Sequence, residues 1–108
     1  MAVDTGPIDF TSGTGNKTFT FGFTPSWMQI YFKGSTIKSS QGFIASGYQC
    51  SYPADGEALN TSKAIVVKNN AGTIVFEGTW VSFPTNQVTF NITTNTVGSI
   101  RANLFFGN

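Results

Sequence analysis

The stretch Lys17-Thr18-Phe19-Thr20-Phe21-Gly22-Phe23-Thr24-Pro25-Ser26-Trp27-Met28-Gln29-Ile30-Tyr31-Phe32-Lys33 decides the fold class. Two runs of alternation lie in it, separated by a single break. Phe19, Phe21 and Phe23 fall on one side of an extended chain and Thr18 and Thr20 on the other. Met28, Ile30 and Phe32 then alternate against Trp27, Gln29, Tyr31 and Lys33. A period of two marks a half-buried β-strand, because successive side chains of a strand point to opposite faces. Thr24-Pro25-Ser26 stops the ladder, since Pro25 donates no amide hydrogen and fixes its own φ. A slip of one residue would turn all three Phe outward, so the register here is strongly specified.

The same signals continue on both sides of this stretch. Val, Ile and Thr together number 30, against two Leu, two Glu and seven Ala, a composition that favours sheet over helix. Pro7 to Thr11 reads as a weaker strand. Gln41 to Tyr52 reads as one strand, with Gly42 and Gly47 as bulge or close-approach points and with Tyr48, Cys50 and Tyr52 together on the inward face. Residues 53–62 form the longest polar stretch and the best loop. Asn69-Asn70-Ala71-Gly72 is a strong hairpin signal between 63–68 and 73–83, because Asn and Gly tolerate positive φ. Two further hairpins are expected at Pro84-Thr85-Asn86 and at Asn95-Thr96-Val97-Gly98. About eight strands with turns at this spacing predict an all-β fold: one antiparallel β-sandwich, jelly-roll-like, over residues 1–108, with a short flexible N-terminal arm over about residues 1–7.

Composition narrows the chemistry. The chain has 108 residues, one Cys, no His and a formal net charge of +1. Without His there is no Ser–His or Cys–His nucleophilic pair and no His-ligated metal. A lone Cys50 makes no intramolecular disulfide and, with no His to lower its pKa, reads as a small hydrophobe. Six Lys and Arg are scattered rather than clustered, which argues against nucleic acid. The N-terminus lacks the pattern of a signal peptide, and no apolar run is long enough to span a membrane. Ser, Thr, Asn and Gln number 38 against 11 charged residues, so uncharged polar groups supply the wet surface. An 11.6 kDa chain should fold to roughly 5,800 Å² of surface, burying about 65% of what it exposes unfolded. That core is adequate but small, and oligomerisation is a common way to supplement it.

Few residues are candidates for chemistry. Asp55 and Glu57 are the only close carboxylates; in a Gly-containing loop they read as a solvated turn, without the ligand pattern of a calcium site. The chain therefore reads as non-enzymatic, with no cofactor and no metal. The three Asn-x-Ser/Thr patterns fit chance matches in an Asn- and Thr-rich chain. The aromatics opposite the apolar faces are more informative. Trp27 and Tyr31 oppose Met28, Ile30 and Phe32, and Phe105 opposes Leu104 and Phe106. Either these rings are exposed, or both sheet faces are covered there, or inside and outside are exchanged locally. Exposed rings among Asn, Gln and Thr suit a protein contact or a sugar platform. Trp27, Tyr31, Asp55, Asn60 and Phe105 are the candidate partner or glycan contacts.

The run Phe19 to Phe32, in which a strand ends in Gly-Phe-x-Pro and a hydrophobic strand follows at once, resembles a pattern of small tailed-phage virion proteins. Val88-Thr89-Phe90-Asn91-Ile92 and a last strand carrying Ala102 and Phe106-Gly107 resemble the closing of the same modules. The ending Leu104-Phe105-Phe106-Gly107 departs from their usual Ala-x-Gly. Such modules serve as capsid decoration or cement proteins, or as tail-fibre and lectin-like domains, and work as trimers or larger assemblies. The resemblance implies a non-enzymatic virion structural protein on the outer surface of a capsid or tail, made in the host cytoplasm. Its expected partner is the major capsid protein or another virion protein. It carries over no binding residue. With no heptads and no attachment region visible ahead of its strands, the chain suits a decoration or cement protein, as a homotrimer bridging shell subunits. The alternative is a carbohydrate-binding lectin-like or receptor-binding tail-fibre module, whose partner is a glycan.

Overall fold

The structure, a computed structural model, describes residues 1–45, 47–54 and 57–108. It holds nine strands: β1 (Val3–Phe10), β2 (Gly15–Thr20), β3 (Trp27–Phe32), β4 (Ser40–Ala45), β5 (Tyr48–Tyr52), β6 (Ile65–Lys68), β7 (Ile74–Ser82), β8 (Gln87–Asn95) and β9 (Ile100–Gly107). They form two antiparallel sheets, of order β1-β9-β3-β4-β5 and β2-β8-β7-β6. No helix occurs among the described residues. The accessible surface is 5555 Å², close to the size expected of a folded chain of this mass.

The alternation that defines β3 holds in the fold. Met28, Ile30 and Phe32 are buried, as are Ile8 and Phe10 of β1, Ile44 of β4, and Ala102, Leu104 and Phe106 of β9. Across from them the second sheet contributes Ile65, Val67, Phe76, Val88, Phe90 and Ile92, and all belong to one apolar core. Phe10 is the centre of its aromatic part: its ring lies 4.9 Å from Phe19, 5.2 Å from Phe76, 5.8 Å from Phe90 and 6.2 Å from Phe32. Phe10 therefore ties β1 and β3 of one sheet to β2, β7 and β8 of the other. Such ring pairs contribute about 0.5–1.5 kcal/mol each beyond their buried area. Phe21 and Phe23, beyond the end of β2, stack on Phe106 at 4.4 and 5.4 Å.

Several expectations need correction. The segment read as a flexible arm, residues 1–7, is largely the first half of β1, which pairs with β9 from Val3↔Gly107 to Phe10↔Ile100. Two bonds beyond this ladder secure its start, from the Ala2 amide to Asn108 Oδ1 (2.7 Å) and from the Asn108 amide to the Ala2 carbonyl (3.1 Å). The single strand expected over Gln41 to Tyr52 is two strands, β4 and β5, reversing between Ala45 and Tyr48. Gly47 in that reversal has φ +85°, a conformation open to glycine and costly for most residues. Asn95 to Gly98 is no hairpin, because β8 and β9 lie in different sheets. The strand count rises from about eight to nine.

Other signals stand. Asn69 Oδ1 accepts the amides of Ala71 and Thr73, both at 3.0 Å, and turns β6 into β7 as the Asn-rich hairpin sequence implies. Thr24-Pro25-Ser26 carries the chain from one sheet to the other rather than around a hairpin. Gly42 is a close-approach point: a Cβ there would overlap the Ala64 carbonyl oxygen, so the 60s segment crosses β4 only because the side chain is absent.

Each of the four edge strands is protected. The Asn108–Ala2 bond and antiparallel alternation turn the Val3, Thr5, Pro7 and Asp9 backbone groups outward on β1. Pro7 has no amide hydrogen, and the Thr5 amide donates to Asp4 Oδ1 at 2.8 Å. On β2, Lys17 lies on the same side as Phe19, and its ammonium donates to Thr11 Oγ1 and the Ser12 carbonyl. An inward charge on an edge strand discourages pairing. Ser51 of β5 exchanges two 2.8 Å backbone bonds with Asn60, and the Lys38 amide donates to the Lys68 carbonyl at the end of β6.

Candidate functional site: the outer face of the five-stranded sheet

The pairing registers place the outward side chains of the five-stranded sheet in four rows, the one at the margin being Asp9 and Arg101. One row runs Pro7, Asn103, Tyr31, Gln41, Tyr52; the next Thr5, Phe105, Gln29, Phe43, Cys50; the third Val3, Gly107, Trp27, Ala45, Tyr48. Tyr48 is 78% exposed, Tyr52 48%, Tyr31 40%, Phe105 39% and Phe43 38%. Directly opposed and diagonal side chains of adjacent strands reach one another, so these rings form one continuous patch. Inside and outside are therefore not exchanged at Trp27 and Tyr31.

Trp27 is half-buried because Phe105 packs edge-on against it, with ring centroids 5.1 Å apart and planes at 73°. Its ring also lies over Gly107, which stands beside it in the register. The Tyr31 hydroxyl donates to Gln29 Oε1 at 3.0 Å, and the Gln29 amide hydrogens make no hydrogen bond to the described residues. Gln41, between Tyr31 and Tyr52, makes no side-chain hydrogen bond to the described residues. Two cavities open on this face. One of about 260 Å³ is bounded by Tyr31, Lys33, Ser40, Gln41 and Tyr52, and one of about 200 Å³ by Gln29, Gln41, Phe43, Ser51, Tyr52 and Leu59. Tyr52 and Gln41 belong to both.

Of the residues singled out from sequence, the fold brings Trp27, Tyr31 and Phe105 onto this face. Asn60 does not join them through its carboxamide oxygen. That atom accepts the Ser62 amide and hydroxyl and the Lys63 amide at 2.9–3.0 Å, closing a turn. Asp55 lies outside the described residues. The expectation that Tyr48, Cys50 and Tyr52 point inward is overturned. The reversal after Ala45 pairs odd positions of β4 with even positions of β5, as in Phe43↔Cys50, and so turns these three residues outward. The single-strand reading hides Tyr48 and Tyr52 for this reason, although the Ser-Gly pair at 46–47 is a turn signal in the sequence; Phe43 joins them on the outer face.

Charge is confined to one margin of the face. Lys33 is the one charged residue bordering either cavity among those described. Arg101–Asp9 (2.8 Å) lies at the margin of this face, beyond the Pro7–Asn103 row, while Lys63–Glu77 (2.9 Å) and Lys68–Glu57 lie elsewhere. Partial burial pushes the Glu77 carboxyl up, but the bonds from Lys63 and Thr94 outweigh it and hold the group below its ordinary value. The Arg101 guanidinium holds Asp9 down in the same way, in full solvent. No cluster of three potential metal ligands occurs among the described residues. No protein-family model, no curated protein and no solved structure matches the chain.

Proposed function

We propose that the protein is a non-enzymatic structural module of a virion, a capsid decoration or cement protein. In this reading a jelly-roll-like sandwich works as a homotrimer on the outer surface of the shell and bridges neighbouring capsid subunits. One observation carries the association part of the proposal: a continuous aromatic face on a sheet whose own edges are blunted. Strand addition is disfavoured at all four edges, so binding through the Trp27, Phe43, Tyr48 and Phe105 face is the natural alternative. Away from the Asp9–Arg101 margin, depletion of charge and enrichment of Tyr, Trp and Phe are what the core of a protein interface requires. Symmetric copies would add avidity, since each contact formed raises the effective concentration of the next. The virion assignment itself rests on the resemblance of Phe19 to Phe32 and of the closing strands.

The test is cosedimentation of the purified protein with shells that lack it, beside light scattering of the free protein. Saturation at a fixed copy number per shell, lowered by Trp27→Ala, is the expected result. A folded protein that never sediments with shells would overturn it. The two clefts beside Tyr52 favour one second reading, a lectin-like or receptor-binding role.

A further inference from the structure

We infer that the cleft between Tyr31 and Tyr52, floored by Gln41, is a binding site for a neutral sugar chain. The inference develops the lectin-like reading and does not require the virion assignment.

The argument begins with spacing. Tyr31, Gln41 and Tyr52 are directly opposed residues on three successive strands. Two strand spacings separate the tyrosine backbones by roughly 9–10 Å. That interval admits one flat ring between two aromatic side chains, above a side-chain amide. A pyranose has the matching chemistry: its C–H faces are apolar, and its hydroxyls lie around the rim, where they both donate and accept. Gln41 offers two donors and an acceptor, none committed to another described side chain. The Gln29 amide hydrogens, uncommitted to the described residues, are a second donor group in the adjoining cleft.

The two cavities are about 260 and 200 Å³. Each falls below the roughly 300 Å³ at which sites for drug-sized ligands begin, so each has the scale of a monomer unit. They share Tyr52 and Gln41 and so lie side by side, as consecutive units of a chain would. Ser40 borders the first and Ser51 the second, but the register turns both side chains to the inner face, so the cleft's polar groups are Gln41 and Gln29. Lys33 is the only charged group at either cleft among the described residues, and a neutral ligand asks for no buried counter-charge.

Titration of the isotope-labelled protein with maltose, cellobiose, lactose and di-N-acetylchitobiose, followed by amide shifts, tests the inference. At least one disaccharide should give saturable shifts at the Gln41 side-chain amide and around Tyr31 and Tyr52. Tyr52→Ala and Gln41→Ala should each weaken that binding by about tenfold or more, while Val81→Ala, on the other sheet, leaves it unchanged. All three positions are solvent-exposed, and retained dispersion of the spectrum shows that each variant folds. Absence of saturable shifts with all four sugars overturns the inference. So does undiminished affinity in Tyr52→Ala, or shifts at these residues that follow protein concentration alone, which would give the cleft to a second copy. Because no shell enters this titration, its failure leaves the cosedimentation result standing, and the reverse also holds.

Discussion

Trp27 lies across Gly107. A Cβ at position 107 would stand 2.7 Å from Trp27 Cζ2 and 2.8 Å from the Ala2 carbonyl oxygen, closer than such atoms approach. The last strand thus sets the height of the indole on the outer face, and Phe105, two residues earlier, holds its edge. Gly107→Ala should lift the ring and expose it, shifting tryptophan emission to the red. A cost of about 1–3 kcal/mol is expected from overpacking against backbone. Unchanged emission and unchanged unfolding midpoint would show that β9 yields freely and does not position Trp27.

Phe10 joins the two sheets, so its loss should be felt globally. Phe10→Ala removes a fully buried ring from contact with four others and should destabilise the fold by about 3–5 kcal/mol in denaturant unfolding. Phe10→Leu retains most of the volume and should cost less. A cost below about 1 kcal/mol for the alanine variant would mean that β1 contributes little to the core.

Edge protection gives a prediction of opposite kind. Pro7→Thr restores an outward amide on β1, and Lys17→Thr removes the inward charge from β2. The double variant should self-associate more strongly with concentration than the parent, measured by light scattering, because two strand templates are opened. Identical scattering curves would show that the edges are guarded by something other than these residues.

Glu77 makes stability depend on acid. Its folded carboxyl is held below the ordinary value of about 4.5, against the effect of burial, by Lys63 and Thr94. A group depressed in this way favours the folded state above that pH. The contribution is lost as pH falls through the folded value. Lys63→Met leaves burial opposed by Thr94 alone, so it should destabilise the protein by about 1 kcal/mol or less at pH 7 and by almost nothing at pH 3. An equal loss at both pH values would assign the effect of Lys63 to packing.

Much of this architecture was legible in the chain. The alternation of Lys17 to Lys33, the break at Pro25 and the Asn69 to Gly72 turn each report a local rule, because strand periodicity and turn chemistry act over a few residues. From them follow the all-β class, the apolar faces of β2 and β3, and the outward placement of Trp27, Tyr31 and Phe105 as one of the stated options. The scarcity of charge and the absence of His likewise belong to the sequence and set the chemistry open to the surface.

Tertiary structure decided the rest. Whether Asn95 to Gly98 closes a hairpin or crosses between sheets depends on where β9 finds its partners, β1 and β3, which lie far away along the chain. The reversal at Gly47 reset the parity of β5 and brought Tyr48 and Tyr52 to the surface, a change no periodicity within β5 could report. The row Tyr31, Gln41, Tyr52 exists only through the registers of three strands, each fixed by burying the opposite face in a shared core. Local sequence specifies which residues share a face of one strand; only packing specifies which strands stand side by side.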